Sequence, residues 1–225
     1  MSGFDLYVRT KADLIDAVER LGIVPLFGNS IPGFSVEEHV ARGAWFDSDE
    51  GVWEWKGPVI RESGCAYGKL FENKAAFVRT DIYVELANWR RDGYDMDARY
   101  DDGLAPRRDL ELWDLVAKHG PVLSKALKAM GDYGRGGKKG FDTILTRLQR
   151  QCYVVTSDFV YETDRAGRRY GWGVAQYASP ETLFGDTFTS RVYSHTPEES
   201  RGIVLEHLKE LLPGVEEKKI VKFLG

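Results

Sequence analysis

The stretch "FDTILTRLQRQCYVVTSDFVY", Phe141 to Tyr161, changes its period halfway along, and that change decides how the fold is read. In its first half Phe141, Ile144, Leu145 and Leu148 recur at helical spacing, while Thr143, Thr146, Arg147 and Arg150 fall on the opposite side. Such a helix buries one side and presents the other. From Cys152 onward β-branched and aromatic residues run together, "ETDRAGRR" supplies a turn, and "YGWGVAQYA" returns, which predicts a β-hairpin.

Upstream, "RRDLELWDLVAKHGP" predicts a helix ending at His119-Gly120, with Pro121 placed to start the next one. In "PVLSKALKAMG" that next helix sets Val122, Leu123, Ala126, Leu127 and Met130 on one side and Lys125 and Lys128 on the other. Three helices followed by a hairpin is the order of a winged helix, whose third helix lies in the major groove of DNA while the hairpin reaches over the backbone. The expected fold class is therefore α+β, with a winged-helix domain over residues 104–190. Residues 1–103 form an N-terminal α/β half, read either as its own unit or as a second, degenerate winged helix. Residues 191–225 supply C-terminal helices that pack on the body.

In the N-terminal half, Thr10 with Asp13 reads as an N-cap for a helix carrying Leu14, Ala17, Val18 and Leu21, stopped by Gly22. "IVPLFGNSIPGF" suits a buried irregular connection. Ser35 and Glu38 have capping-box spacing for a short helix to about Ala41. Trp53 and Trp55 stand at strand spacing, and "CAYGKLF" with "KAAFVR" predicts a hairpin joined by "ENK". Thr80 caps a helix running to about Arg91, and "RDGYDMDARYDDG" reads as a polar linker. Near the C-terminus Thr196, Pro197 and Glu199 begin a helix with Ile203, Val204, Leu208, Leu211 and Leu212 on its apolar side, followed by a short helix with Ile220, Val221 and Leu224.

Net charge is −4, so composition alone announces no polyanion partner. Its distribution says more. Lys118 to Arg150 holds eight cations against two anions, a local +6 that leaves −10 for the remainder. An asymmetry of this kind focuses a polyanion onto one face. Within it lies "GDYGRGGKKG", Gly131 to Gly140. This is not a Walker loop: Lys139 stands where a Ser or Thr would hold magnesium, and Asp132 stands where the opening glycine belongs. The loop is read instead as the connection into the presented helix.

With these elements placed, the sequence resembles the winged-helix superfamily containing the AlkZ and YcaQ DNA glycosylases. "ELWDLVAKHGPVLSKALKAMG", "FDTILTRLQ" and the hairpin ending "YASPETL" carry the resemblance in the second half, and "ERLGIVPLF" carries it near the N-terminus. What the resemblance implies is a short bacterial AlkZ-related protein connected with DNA repair. Where that family has its Gln-x-Gln or Gln-x-Asp motif after a Leu-Gly pair, this chain has Pro25 and Phe27. Cleaving a base from its sugar needs a side chain that positions water or stabilises positive charge, and neither residue does so.

The expected partner is therefore DNA, damaged DNA included, with RNA left open. Lys125, Lys128, Arg135, Lys138, Lys139, Arg147 and Arg150 are the candidate phosphate contacts, and Thr143 and Thr146 the candidate base contacts. Gln149, Gln151 and Glu37 are the residual catalytic candidates for a glycosylase with non-standard residues, and docking of a protein partner on the same fold is a third reading. Trp45, Trp53, Trp55 and Trp89 are either core or a stacking platform. No cofactor is implied, and the spacings of Cys65, Cys152 and the histidines imply no metal site. With no apolar run long enough to span a bilayer and no signal pattern, a cytoplasmic location is expected.

Overall fold

The computed structural model describes residues 4–40, 42–45, 51–166 and 169–225. Helix α1, Lys11–Leu21, opens with the predicted Thr10 N-cap, which Asp13 completes into a capping box, and buries Leu14, Ala17, Val18 and Leu21. Gly22 closes it at φ +75°, where a Cβ would collide with the Ile82 side chain at 2.4 Å. Strand β1, Ile23–Pro25, β2, Ala66–Phe71, and β3, Lys74–Val78, form an antiparallel sheet in the order β1-β3-β2. Glu72 and Asn73 make the predicted hairpin turn with φ of 49° and 60°, a conformation asparagine tolerates better than most residues.

Two N-terminal expectations are overturned. Ser35 and Glu38 do bond, Oγ to Oε2 at 2.6 Å, but within a turn rather than at the head of a helix, and Ala41 lies outside the described residues. The Trp53/Trp55 segment is not a strand. It is helix α2, Val52–Ser63, with Pro58 inside it and Val52, Trp55, Lys56, Val59 and Ile60 buried at helical spacing. Residues 46–50 lie outside the described residues.

Helix α3, Thr80–Arg91, starts as predicted except that Arg79 occupies the N-cap position. The stretch expected to be a polar linker contains helix α4, Met96–Asp101, capped by Asp95 and burying Met96. Then follow α5, Arg107–His119, strand β4, Val122–Leu123, and α6, Ser124–Met130. Pro121 thus precedes a two-residue strand rather than a helix, because Val122 and Leu123 pair with Tyr177 and Gln176. Met130 is exposed instead of buried. Helix α7, Phe141–Arg150, matches its prediction and leads into β5, Val155–Thr163, and β6, Arg169–Ala178. The second antiparallel sheet has the order β4-β6-β5, and residues 167–168 of the predicted turn lie outside the described residues.

Two short helices without sequence expectation, α8, Pro180–Phe184, and α9, Asp186–Thr189, precede α10, Pro197–Leu211, and α11, Glu217–Leu224. The α10 capping box between Thr196 and Glu199 is present, but Ile203 is exposed and Leu205 takes its place in the core. One apolar core joins the first sheet, α1 to α3, α10 and α11. A second gathers Met96, Leu112, Val116, Leu127, Phe141, Ile144, Leu145 and Leu148. Buried Arg91 ties α3 to the chain beyond α7, donating to the Cys152 carbonyl at 2.8 Å and to Glu181 at 2.7 Å. Among the described residues no helix is long and apolar enough to cross a membrane.

Candidate nucleic-acid interface

The polar side of α7 does not face open solvent along its whole length. It forms one wall of a cleft of about 820 Å³. Asp142, Thr143, Thr146, Arg147, Arg150 and Gln151 line that wall. Across from it stand Lys69 and Asn73 of the β2–β3 hairpin, Trp89 and Arg90 at the end of α3, and Leu224 at the end of α11.

Two contacts fix the hairpin beside the helix. The Gln149 amide is 3% exposed; its oxygen accepts the Lys69 backbone N–H at 3.0 Å and its nitrogen donates to Thr156 Oγ1 at 3.3 Å. Gly68 packs directly against this amide, and a Cβ there would meet Gln149 Cδ at 3.4 Å, an ordinary contact distance. Lys69 Nζ then reaches Thr146 Oγ1 at 3.3 Å across the cleft. The floor is held by Arg90, whose guanidinium donates to the carbonyls of Leu70 at 2.6 Å, Arg150 at 3.0 Å and Leu224 at 2.9 Å. Burial lowers the Arg90 pKa, but a guanidinium stays protonated, so a cation with no carboxylate partner among the described residues sits under the cleft.

The candidate cations divide by what already holds them. Arg147 makes a bidentate pair with Asp109 of α5, a carboxylate only 1% exposed, and this hydrogen bonding raises the Arg147 pKa. Lys125 pairs with Glu162, Lys138 with Glu111 at 3.0 Å, and Lys128 with Asp142 at 3.7 Å. Among the described residues no ion pair reaches Arg135, Lys139 or Arg150, nor Lys69, which the sequence reading did not single out. Among the described residues the Arg150 guanidinium hydrogen-bonds only to the Asn73 side-chain oxygen, at 3.4 Å.

Lys128, Lys138 and Lys139 border a second concavity of about 390 Å³ around Gly134, Gly136 and Gly137. Asp142, in the first turn of α7, lines both hollows. The glycines serve the folding of the loop itself. A Cβ on Gly137 would lie 2.2 Å from the Asp132 carbonyl, and Gly140 enters α7 at φ +94°. The Asp132 carbonyl accepts the Lys138 N–H at 2.6 Å, closing the loop.

The remaining candidates lie apart. Glu37 is exposed and accepts the Gly28 N–H at 2.7 Å, away from the cleft lining. Pro25 pairs within the first sheet opposite Ala76, and Phe27 stacks on Trp45 at 5.8 Å. The four tryptophans form no single platform: Trp55 is core, Trp45 covers Phe27, Trp53 lies over Lys56, and Trp89 alone borders the cleft. Both cysteines are buried, and burial pushes the Cys65 thiol up to about 12. Among the described residues no three His, Cys, Asp or Glu side chains are grouped to hold a metal.

The family model described as "AlkZ related" matches residues 8–225. Among solved structures, the Streptomyces sahachiroi DNA glycosylase AlkZ matches with a TM-score of 0.50 at 13% identity. That match covers 100% of this chain and 61% of the Streptomyces protein, so the chain spans less than two thirds of its length. The comparison with curated proteins found no match.

Proposed function

Because the chain belongs to the AlkZ-related family, we propose that it is a DNA-binding protein that holds its ligand along the cleft and the adjoining glycine-rich loop. In this reading α5, α6 and α7 with the second sheet are a winged helix over residues 104–190, while residues 1–103 and 191–225 build the facing wall. One observation carries it. Among the described residues the cations without a carboxylate partner include Lys69 and Arg150, which line the cleft, and Lys139, which borders the hollow of the loop, with Arg135 in the same loop, whereas Lys125, Lys128, Lys138 and Arg147 are already paired. Phosphates supply the counter-charge that these cations lack.

Fluorescence anisotropy of a labelled oligonucleotide at low salt tests this. Lys69→Ala with Arg150→Ala weakens binding, while Lys11→Ala, whose lysine pairs with Glu62 elsewhere at 2.6 Å, leaves it unchanged. A wild-type protein that retains no DNA at low salt overturns the reading.

Base excision is the second reading, and the cleft gives it a specific footing. Gln149 is consumed by the hairpin and Glu37 lies elsewhere, but Asp142 brings a carboxylate and Gln151 an amide into the cleft. A carboxylate beside a sugar is suited to a cation-like transition state. Incubation with alkylated DNA followed by scoring of abasic sites checks it, with loss of the product in Asp142→Asn as the expected signature. Absence of abasic sites across several lesions removes it.

A further inference from the structure

We infer that the cleft receives a single unpaired nucleotide of a DNA strand, rather than the edge of an intact duplex. This rests on the DNA-binding reading and narrows it. A helix with its side chains is about 10–12 Å across and the major groove is about 12 Å wide, so a helix reading that groove must project with both flanks bare. Helix α7 does not. The β2–β3 hairpin is locked against its C-terminal half through buried Gln149, and Lys69 bridges onward to Thr146. No groove accommodates the helix and the hairpin side by side.

The same arrangement that excludes a groove makes a receptacle. Its volume of about 820 Å³ lies in the range of sites that enclose small ligands, about 300–1,000 Å³, and a nucleotide is a ligand of that size. Half-buried Trp89 supplies an aromatic wall next to apolar Leu224. Asn73, Thr143, Thr146 and Gln151 provide neutral donors and acceptors of the kind that read a base edge. Lys69 and Arg150 flank the cleft as exposed cations for the attached phosphates. The Arg90 guanidinium, bonded to three carbonyls from three elements, holds this geometry before any ligand arrives.

Anisotropy titrations with three probes of one sequence test the inference: a perfect duplex, the same duplex with one bulged nucleotide, and the single strand. The bulged duplex and the single strand are expected to bind at least about fivefold tighter than the perfect duplex, the lower bound for stacking one base on an aromatic residue. Trp89→Leu removes that preference while Trp89→Phe keeps it. Because Trp89 is half-buried, Thr143→Phe provides a second variant at an exposed position; it fills the cleft and abolishes the preference. Equal affinity for the perfect and bulged duplexes overturns the inference and leaves the DNA-binding reading standing. Failure to bind any of the three overturns both.

Discussion

In the DNA-binding reading, the salt dependence follows from which cations are free. Among the described residues Lys69 and Arg150 of the cleft and Arg135 and Lys139 of the glycine-rich loop have no carboxylate partner, whereas Lys125, Lys128, Lys138 and Arg147 are each paired. A cation already beside a carboxylate releases few counterions when it exchanges one oxygen anion for another. Four free cations therefore set a slope of log K against log salt of about −2.8 on single-stranded DNA, at about −0.7 per neutralised phosphate. Raising salt from 50 to 200 mM then weakens binding about 50-fold. In Lys69→Ala with Arg150→Ala the slope falls to about −1.4, and the same change in salt costs only about sevenfold. Arg147→Ala leaves the slope where it was, because Asp109 holds that guanidinium. Anisotropy titrations at four or five salt concentrations give all three slopes. A wild-type slope near zero, or a slope in Arg147→Ala that drops by as much as in a single Arg150→Ala variant, refutes the assignment by pairing.

Other consequences concern stability. Arg147→Ala leaves the Asp109 carboxylate, 1% exposed, without its partner, and a loss of about 3–5 kcal/mol is expected in urea denaturation. Asp109→Asn costs less, since the orphaned Arg147 is partly exposed and can hydrate. Gln149→Leu conserves volume but strands the Lys69 N–H, so a loss of about 1–3 kcal/mol is expected together with loosening of the hairpin, visible as faster amide exchange at Lys69. Lys56 is buried against the faces of Trp53 and Phe159, and desolvation brings its pKa down to about 7. Its folded pKa lies below its unfolded value, so the penalty for carrying charge is full below pH 7. The penalty fades as pH rises toward the ordinary lysine range, and stability increases over that interval. Lys56→Met removes this dependence, which urea midpoints at pH 7 and pH 9 compare directly.

Elements written in local chemistry are legible in the sequence. The Thr10 and Thr196 helix caps, the β2–β3 hairpin and the buried face of α7 each depend on residues within a turn or two of one another. Helix α2 is missed because its buried stripe includes Lys56 and is interrupted by Gly57-Pro58, which together disguise a regular i, i+3, i+4, i+7 spacing. Strand β4 is missed because what makes Val122 and Leu123 extended is pairing with residues more than 50 positions away. Helix α4 buries little beyond Met96, so no apolar periodicity marks it inside an acidic stretch.

The cleft is beyond reach of the sequence for a related reason, and the charge count shows why. Periodicity tells which side of α7 is polar but not what stands opposite, and Lys69, Asn73, Trp89 and Arg90 arrive from elements folded against it. The +6 segment from Lys118 to Arg150 suggests a ridge of eight cations, yet four of them are matched by Asp109, Glu111, Asp142 and Glu162. Three of those four acids lie outside the segment, and all four lie on a different element from their partners. Meanwhile Lys69 and Arg90, excluded from the count, bring positive charge to the cleft without a carboxylate. The field that would meet a polyanion is set by what remains after pairing, so a charged face read from sequence marks a side of the molecule and leaves the unpaired cations on it to be decided by packing.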